Sequence, residues 1–136
     1  MKPAKLRVAR PTGDLAALRT FYIDGLGLID RGTFWDHAGY DGQLVGSEDA
    51  QYEIEFTRSP KTTAYASPSE DNLLVFYLEN RAAVDAVQKR LSAQGVEPVA
   101  PKNPYWVGKS LTFADPDGWR VVLFDLEALD AAAEQD

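Results

Sequence analysis

The sequence predicts an α+β fold made of two βαβββ modules. Three observations carry that prediction. The same order of strand-like and helix-like stretches occurs twice, a polar Pro/Ser/Thr segment over about 59–71 separates the copies, and each helix-like stretch is followed by short turn-punctuated strands. At 136 residues, with 45% apolar and 26% charged residues, the chain has the size and balance of one globular domain. The expected organisation is one domain over 1–136, with module one at about 5–58, the linker at about 59–71, module two at about 72–125 and a short acidic helical tail at about 126–136.

Module one opens with the strand-like KLRVA, which leads through PTGD into DLAALRTFYIDGLGL. There Leu15, Leu18, Phe21 or Tyr22, and Leu26 recur at helical spacing, with Thr12 as the expected N-cap and Gly25 or Gly27 as the stop. LIDRGTFW, DGQLVG and AQYEIEFT follow as strands, parted by DHAGYDG and GSED. Module two repeats the order. NLLVFYL reads as a strand, and ENRAAVDAVQKRLSAQG as a helix capped by Asn80, striped by Val84, Val87 and Leu91 and ended by Gly95. A short strand is expected around VEPV, then a Pro-rich loop APKNPYW, then a hairpin KSLTFA-DPDG-WRVVLF whose Asp-Gly turn is a strong local signal.

Period-two alternation assigns the faces. Leu6, Val8, Tyr52, Ile54, Phe56, Leu74, Phe76, Leu78, Val121 and Leu123 fall on one side and should pack on the helices, with Trp119 joining the core. Arg7, Ala9, Glu53, Glu55, Leu73, Val75, Tyr77, Arg120, Val122 and Phe124 fall on the other, a mixture suited to lining solvent, a cavity or a partner chain.

Composition excludes several functions. No cysteine is present, which removes disulfides, thiolate zinc sites and a Cys nucleophile. A net charge of −7 without a Lys/Arg cluster argues against nucleic acid and is what solubility alone would select. No apolar run approaches the roughly 20 residues that span a bilayer, and MKPAKLRVAR lacks the apolar centre of a signal peptide, so the expectation is a cytoplasmic protein without a membrane partner. There is no Ser-His-Asp order, phosphate-binding loop or dinucleotide fingerprint.

The two βαβββ modules, FYIDGLGL closing the first helix and DPDGWRVVLF closing the second module resemble the vicinal oxygen chelate superfamily of glyoxalases, bleomycin- and fosfomycin-resistance proteins and extradiol dioxygenases. The likeness runs from about Lys5 to Phe124. RVARPTGDL, YDG, LEN and NPYW look like a bacterial subgroup whose members mostly lack an assigned reaction. The resemblance implies an eight-stranded curved sheet around a cleft, commonly in a homodimer, built from modules that pair within one chain or exchange between two. It also implies four metal-ligand positions, which here hold Arg7, Glu55, Leu73 and Val122. Only Glu55 is a usable ligand, so no metal and no cofactor are expected.

Arg7 and Glu55 suggest an ion pair, either tying strands together or offering Arg7 to an anionic group. Glu53 beside Glu55 would make a carboxylate pair able to hold a proton or attract a cationic ligand. His37, the sole histidine, is the candidate general base, flanked by Asp36 and Asp41; the alternative is an exposed loop histidine. Tyr77 and Arg120 are further polar contacts, and Trp35, Tyr40, Tyr105, Trp106 and Phe124 are candidate pocket walls or dimer contacts. The expected function is binding of a small organic molecule without the superfamily's metal. The alternatives are a metal-dependent lyase, isomerase or dioxygenase, with His37 and Glu55 as the surviving groups, and a non-catalytic dimeric interaction domain.

Overall fold

The computed structural model describes residues 1–49, 51–61 and 66–129; part of the linker and residues 130–136 of the expected tail lie outside them. The chain divides into two units, Met1–Tyr65 and Ala66–Asp136.

In the first unit, β1 (Leu6–Pro11) leads into α1 (Leu15–Arg19), followed by β2 (Ile29–His37), β3 (Tyr40–Gly46) and β4 (Tyr52–Arg58). The sheet order is β1-β4-β3-β2, with β1 parallel to β4 and the remaining pairs antiparallel. Asp14, rather than Thr12, caps α1: its carboxylate accepts from the Ala17 N–H at 3.0 Å, while the Thr12 hydroxyl accepts from the Asp14 N–H at 3.2 Å. Thr12 thus shapes the approach to the helix and Asp14 satisfies its open donors.

After five residues α1 widens into a π-helical turn over Thr20–Gly25, where the Leu26 N–H reaches the Phe21 carbonyl at 2.9 Å. Both Phe21 and Tyr22 are therefore buried, where regular helical spacing allowed one or the other. Leu15, Leu18 and Leu26 join them against Val45, Ile54 and Phe56. The end of β1 differs from the alternation expected of it. Leu6 is exposed, whereas Arg10 is buried, donating to the Tyr22 hydroxyl at 2.7 Å with its guanidinium 5.3 Å from the Phe56 ring centre. The short helix reaches the Arg10 end of β1, and there the planar guanidinium packs among aromatic rings.

The second unit has β5 (Leu73–Leu78), α2 (Arg81–Ala93), β6 (Ser110–Ala114) and β7 (Arg120–Asp125) in the order β5-β7-β6. β5 and β7 are parallel, matching β1 and β4 of the first unit, and β6 and β7 form the expected hairpin. Asn80 caps α2 by accepting from the Ala83 N–H at 2.9 Å, and Gly95, at φ 79°, closes it as the Val96 N–H reaches the Leu91 carbonyl at 2.9 Å. Val84, Val87 and Leu91 are buried on the helix, and Phe113, Val121 and Leu123 on the sheet. At the DPDG turn the Asp115 carboxylate accepts from the N–H groups of Asp117 and Trp119, each at 2.9 Å. Trp119 itself is half-buried. The strand expected around VEPV is a single bridge between Val99 and Thr112, because prolines at 98 and 101 remove two ladder donors. Residues 126–129 begin a helical turn. Among the described residues no helix is long and apolar enough to cross a membrane.

Candidate functional site

The open face of the first sheet carries a line of charge. In the β1/β4 register Arg7 faces Glu53 and Ala9 faces Glu55, so one guanidinium sits between two carboxylates two residues apart on the same side of β4. Arg7 places Nη2 3.3 Å from Glu53 Oε2 and Nη1 3.3 Å from Glu55 Oε2. Lys5 holds the other oxygen of Glu53. The Glu53 side chain is only 6% exposed against 47% for Arg7, so the buried member is the one with most cationic support. The Lys5 hydrogen bond, with the charges of Lys5, Arg7 and Arg31, holds the Glu53 carboxyl below the usual carboxylate range against the opposing effect of burial. The expected Arg7–Glu55 pair is thus part of a wider network, and Glu53 and Glu55 are separated by a cation rather than sharing a proton.

Beside this network lies an open pocket of about 590 Å³ lined by Phe34, His37, Ala38, Tyr40, Glu55 and Thr57. Local backbone features place each of them. β2 has irregularities between Asp30 and Gly32 and between Phe34 and His37. At the first, the Asp30 carboxylate accepts from the Gly32 N–H at 2.9 Å and from Gln43 Nε2 at 2.8 Å; the bond from Gly32 leads the causes that lower its pKa. This bulge sets the phase that puts Phe34 opposite Gly42. A Cβ at position 42 would lie 2.1 Å from Phe34 Cζ, so the absent side chain is what lets the ring lie across the neighbouring strand. The turn between His37 and Tyr40 then runs through Ala38 and Gly39 at φ 54° and 88°, both positive as in a type I′ hairpin. It swings His37 to the pocket edge, its ring 6.2 Å from that of Phe34 and steeply inclined at 78°.

His37, Tyr40 and Glu55, all candidates from the sequence, line the same pocket, and Arg7 is bonded to Glu55. Trp35 does not line the pocket; it is 68% exposed on the next residue of β2. Phe34, Ala38 and Thr57 were missed. Phe34 had a usable signal in the glycine at 42, since a glycine within a strand pattern marks close approach of another group, but two bulges hide the register that pairs them.

The second unit gathers the other aromatic candidates. Tyr77 packs on Phe124 at 5.1 Å, Phe124 on Trp106 at 5.8 Å and Trp106 on Tyr105 at 4.9 Å, and the Lys109 ammonium stands 3.8 Å from the Tyr105 ring centre. The short 3-10 turn Pro104–Trp106 presents the last two rings, opened by Asn103, which accepts from the Tyr105 N–H at 3.0 Å. Arg120 donates to the Ala100 carbonyl at 2.8 Å and pairs with Glu70 at 3.4 Å, so its guanidinium fastens loops within its own unit.

The residues at the four positions that the resemblance assigns to metal ligands do not fit a divalent cation. In the first unit they are Arg7 and a Glu55 already bonded to it, and in the second Leu73 and Val122 offer no donor atom. Among the described residues no group of three or more His, Asp or Glu converges in a way that could hold a metal.

Residues 6–57 match the YycE-like N-terminal domain and residues 71–125 the YycE-like C-terminal domain. The chain belongs to the YycE-like family. Its relative "Uncharacterized protein YycE" of Bacillus subtilis (strain 168) is 40% identical over 126 residues, covering 93% of this chain and 91% of that protein. The crystal structure of a YycE protein of unknown function from Bacillus subtilis superposes with a TM-score of 0.82 at 41% identity, over 89% of this chain and 88% of that one. More distant likenesses concern the fold alone. The trypanothione-dependent glyoxalase I of Leishmania major gives a TM-score of 0.75 at 20% identity, over 99% of this chain and 95% of that one. TnmS3, an antibiotic-binding protein of Streptomyces sp. CB03234, gives 0.64 at 24%, over 91% and 95%. This YycE-like chain thus has the α+β fold of the glyoxalase and bleomycin-resistance proteins, within the vicinal oxygen chelate superfamily.

Proposed function

We propose that this YycE-like protein binds a small organic molecule in the pocket of its first unit, without a divalent metal. The observation that carries the reading is the pocket itself: apolar walls from Phe34, Ala38 and Tyr40 meet a carboxylate, Glu55, whose one oxygen is already bonded to Arg7. A volume of about 590 Å³ lies in the range of small-ligand sites. A metal at Glu55 would have to displace the Arg7 guanidinium, and the second carboxylate there, Glu53, is also held by Lys5. The likeness to an antibiotic-binding protein is compatible with sequestration as the role. We further propose that the protein acts in the cytoplasm as a homodimer.

A ligand-detected NMR screen run in EDTA tests the reading. Hits are expected to persist in EDTA and to weaken in Tyr40→Ala; hits that appear only with added Zn²⁺ or Mn²⁺ would overturn it. An enzymatic reading is favoured by one observation, that His37 and Glu55 line the same pocket. In that case His37→Ala abolishes turnover of a bound compound while the thermal melt stays unchanged.

A further inference from the structure

We propose that the first-unit pocket selects a planar aromatic cation, stacked on Phe34 and hydrogen-bonded to Glu55; this deepens the ligand-binding reading and rests on it. Planarity follows from the rings. Phe34 lies across the strand in the space a side chain at Gly42 would fill, so it is held as a fixed floor rather than a mobile arm. The His37 ring stands steeply to it, and Tyr40 adds a third, half-exposed aromatic surface. A flat ring gains from an offset stack on such a floor, whereas a puckered aliphatic ring of equal size forfeits the quadrupole match.

The charge follows from Glu55. It is the one acidic lining residue, and only its Oε2 is bonded, to Arg7; among the described residues no group bonds Oε1. Arg7 bridges Glu53 and Glu55 and so orients the Glu55 carboxylate, leaving one of its oxygens open to a ligand. A carboxyl group with an open oxygen beside aromatic faces suits a ring-bound ammonium or amidinium, which forms a charge-assisted bond and is drawn to the ring faces as well. Thr57, two residues along the same face of β4 and so about 6–7 Å further on, offers a second polar anchor at the far edge of a flat ligand. The overall charge of −7 draws cations toward the surface.

The test is a fluorescence and calorimetric titration at about 0.15 M salt, where long-range surface attraction is screened. It uses three probes: 9-aminoacridine (planar cation), acridine-9-carboxylate (planar anion) and cyclohexylmethylamine (cation without an aromatic ring). The wild-type protein is expected to bind 9-aminoacridine at least about tenfold tighter than either other probe, as one charge-assisted hydrogen bond or one lost stack implies. Glu55→Gln should erase the preference for cation over anion. Phe34→Leu, which keeps bulk, and Gly42→Ala, which displaces the ring, should each weaken both acridines while leaving their ratio unchanged. Asp85→Asn, on the exposed face of α2, should change nothing. If the anion binds as tightly as the cation, the charge assignment is overturned while pocket binding survives. If cyclohexylmethylamine matches 9-aminoacridine, the stacking assignment is overturned in the same way. If no probe binds, or if Asp85→Asn weakens 9-aminoacridine as much as Glu55→Gln does, the ligand class is wrong, and the EDTA screen then decides separately whether the pocket binds any organic molecule.

Discussion

The two units share a strand plan and have opposite chemistry on corresponding positions. Arg7 and Glu55 in the first correspond to Leu73 and Val122 in the second, each pair on the two strands that form the unit's parallel ladder. In the first unit those positions feed a half-exposed charge network, beside which the pocket lies. In the second, Val122 and Phe124 are completely buried, and Phe124 anchors an aromatic row. The difference teaches that one backbone pattern can devote the same strand positions to recognition in one copy and to packing in the other. Pairing geometry is fixed by the backbone, while the outward side chains are free to diverge.

That contrast can be broken by mutation. The largest effect is expected in the second unit, where Phe124→Ala should cost about 3–5 kcal/mol in a urea unfolding series, the range for deleting a buried aromatic side chain. A change on the charged strands of the first unit should cost less: Arg7→Gln removes a half-exposed guanidinium from two carboxylates while Lys5 still holds Glu53, and should cost under about 1 kcal/mol. Equal losses would mean that both faces serve packing alike.

Acid sharpens the comparison further. The Glu53 carboxyl sits below its ordinary value of 4.5 in the folded chain, so folding favours its ionised form. Its contribution is fully present above pH 4.5 and drains away as pH falls through the lowered folded value. Glu53→Gln should therefore be less stable than wild type at neutral pH, with the gap closing in acid. A gap that stays constant with pH would show that shape rather than charge is responsible. The smallest effect concerns the hairpin tip. Ala38 holds φ 54° without being glycine, and Ala38→Gly should raise stability by about 0.5–1 kcal/mol, read as a shift in the urea midpoint.

Much of this was legible in the sequence because it depends on local signals. The Asn80 cap, the Val84–Val87–Leu91 stripe and the DPDG turn each require only neighbours a few residues away, and each stands where the pattern placed it. Family likeness supplied the pairing of strands far apart in the chain. What escaped depends on small departures from regular period. One π-helical turn puts both Phe21 and Tyr22 inside, and two bulges in β2 decide that Phe34 rather than Trp35 faces the pocket. Arg10 escaped for another reason: a guanidinium can be buried when aromatic faces and a hydroxyl receive it, and those partners come from elsewhere in the chain. Among the site residues, His37, Tyr40 and Glu55 were legible as chemical types at a turn and a strand centre. Thr57 was not, since nothing local separates it from any other strand threonine.

A binding pocket that works without metal is tested most directly by elemental analysis of the purified protein followed by thermal melts with EDTA and with added Zn²⁺, Ni²⁺, Mn²⁺ or Fe²⁺. No stoichiometric metal and an unchanged melting temperature are expected in every condition. A stoichiometric metal, or strong stabilisation by one of these ions, would contradict that reading and would make Glu55 a ligand in place of Arg7's partner.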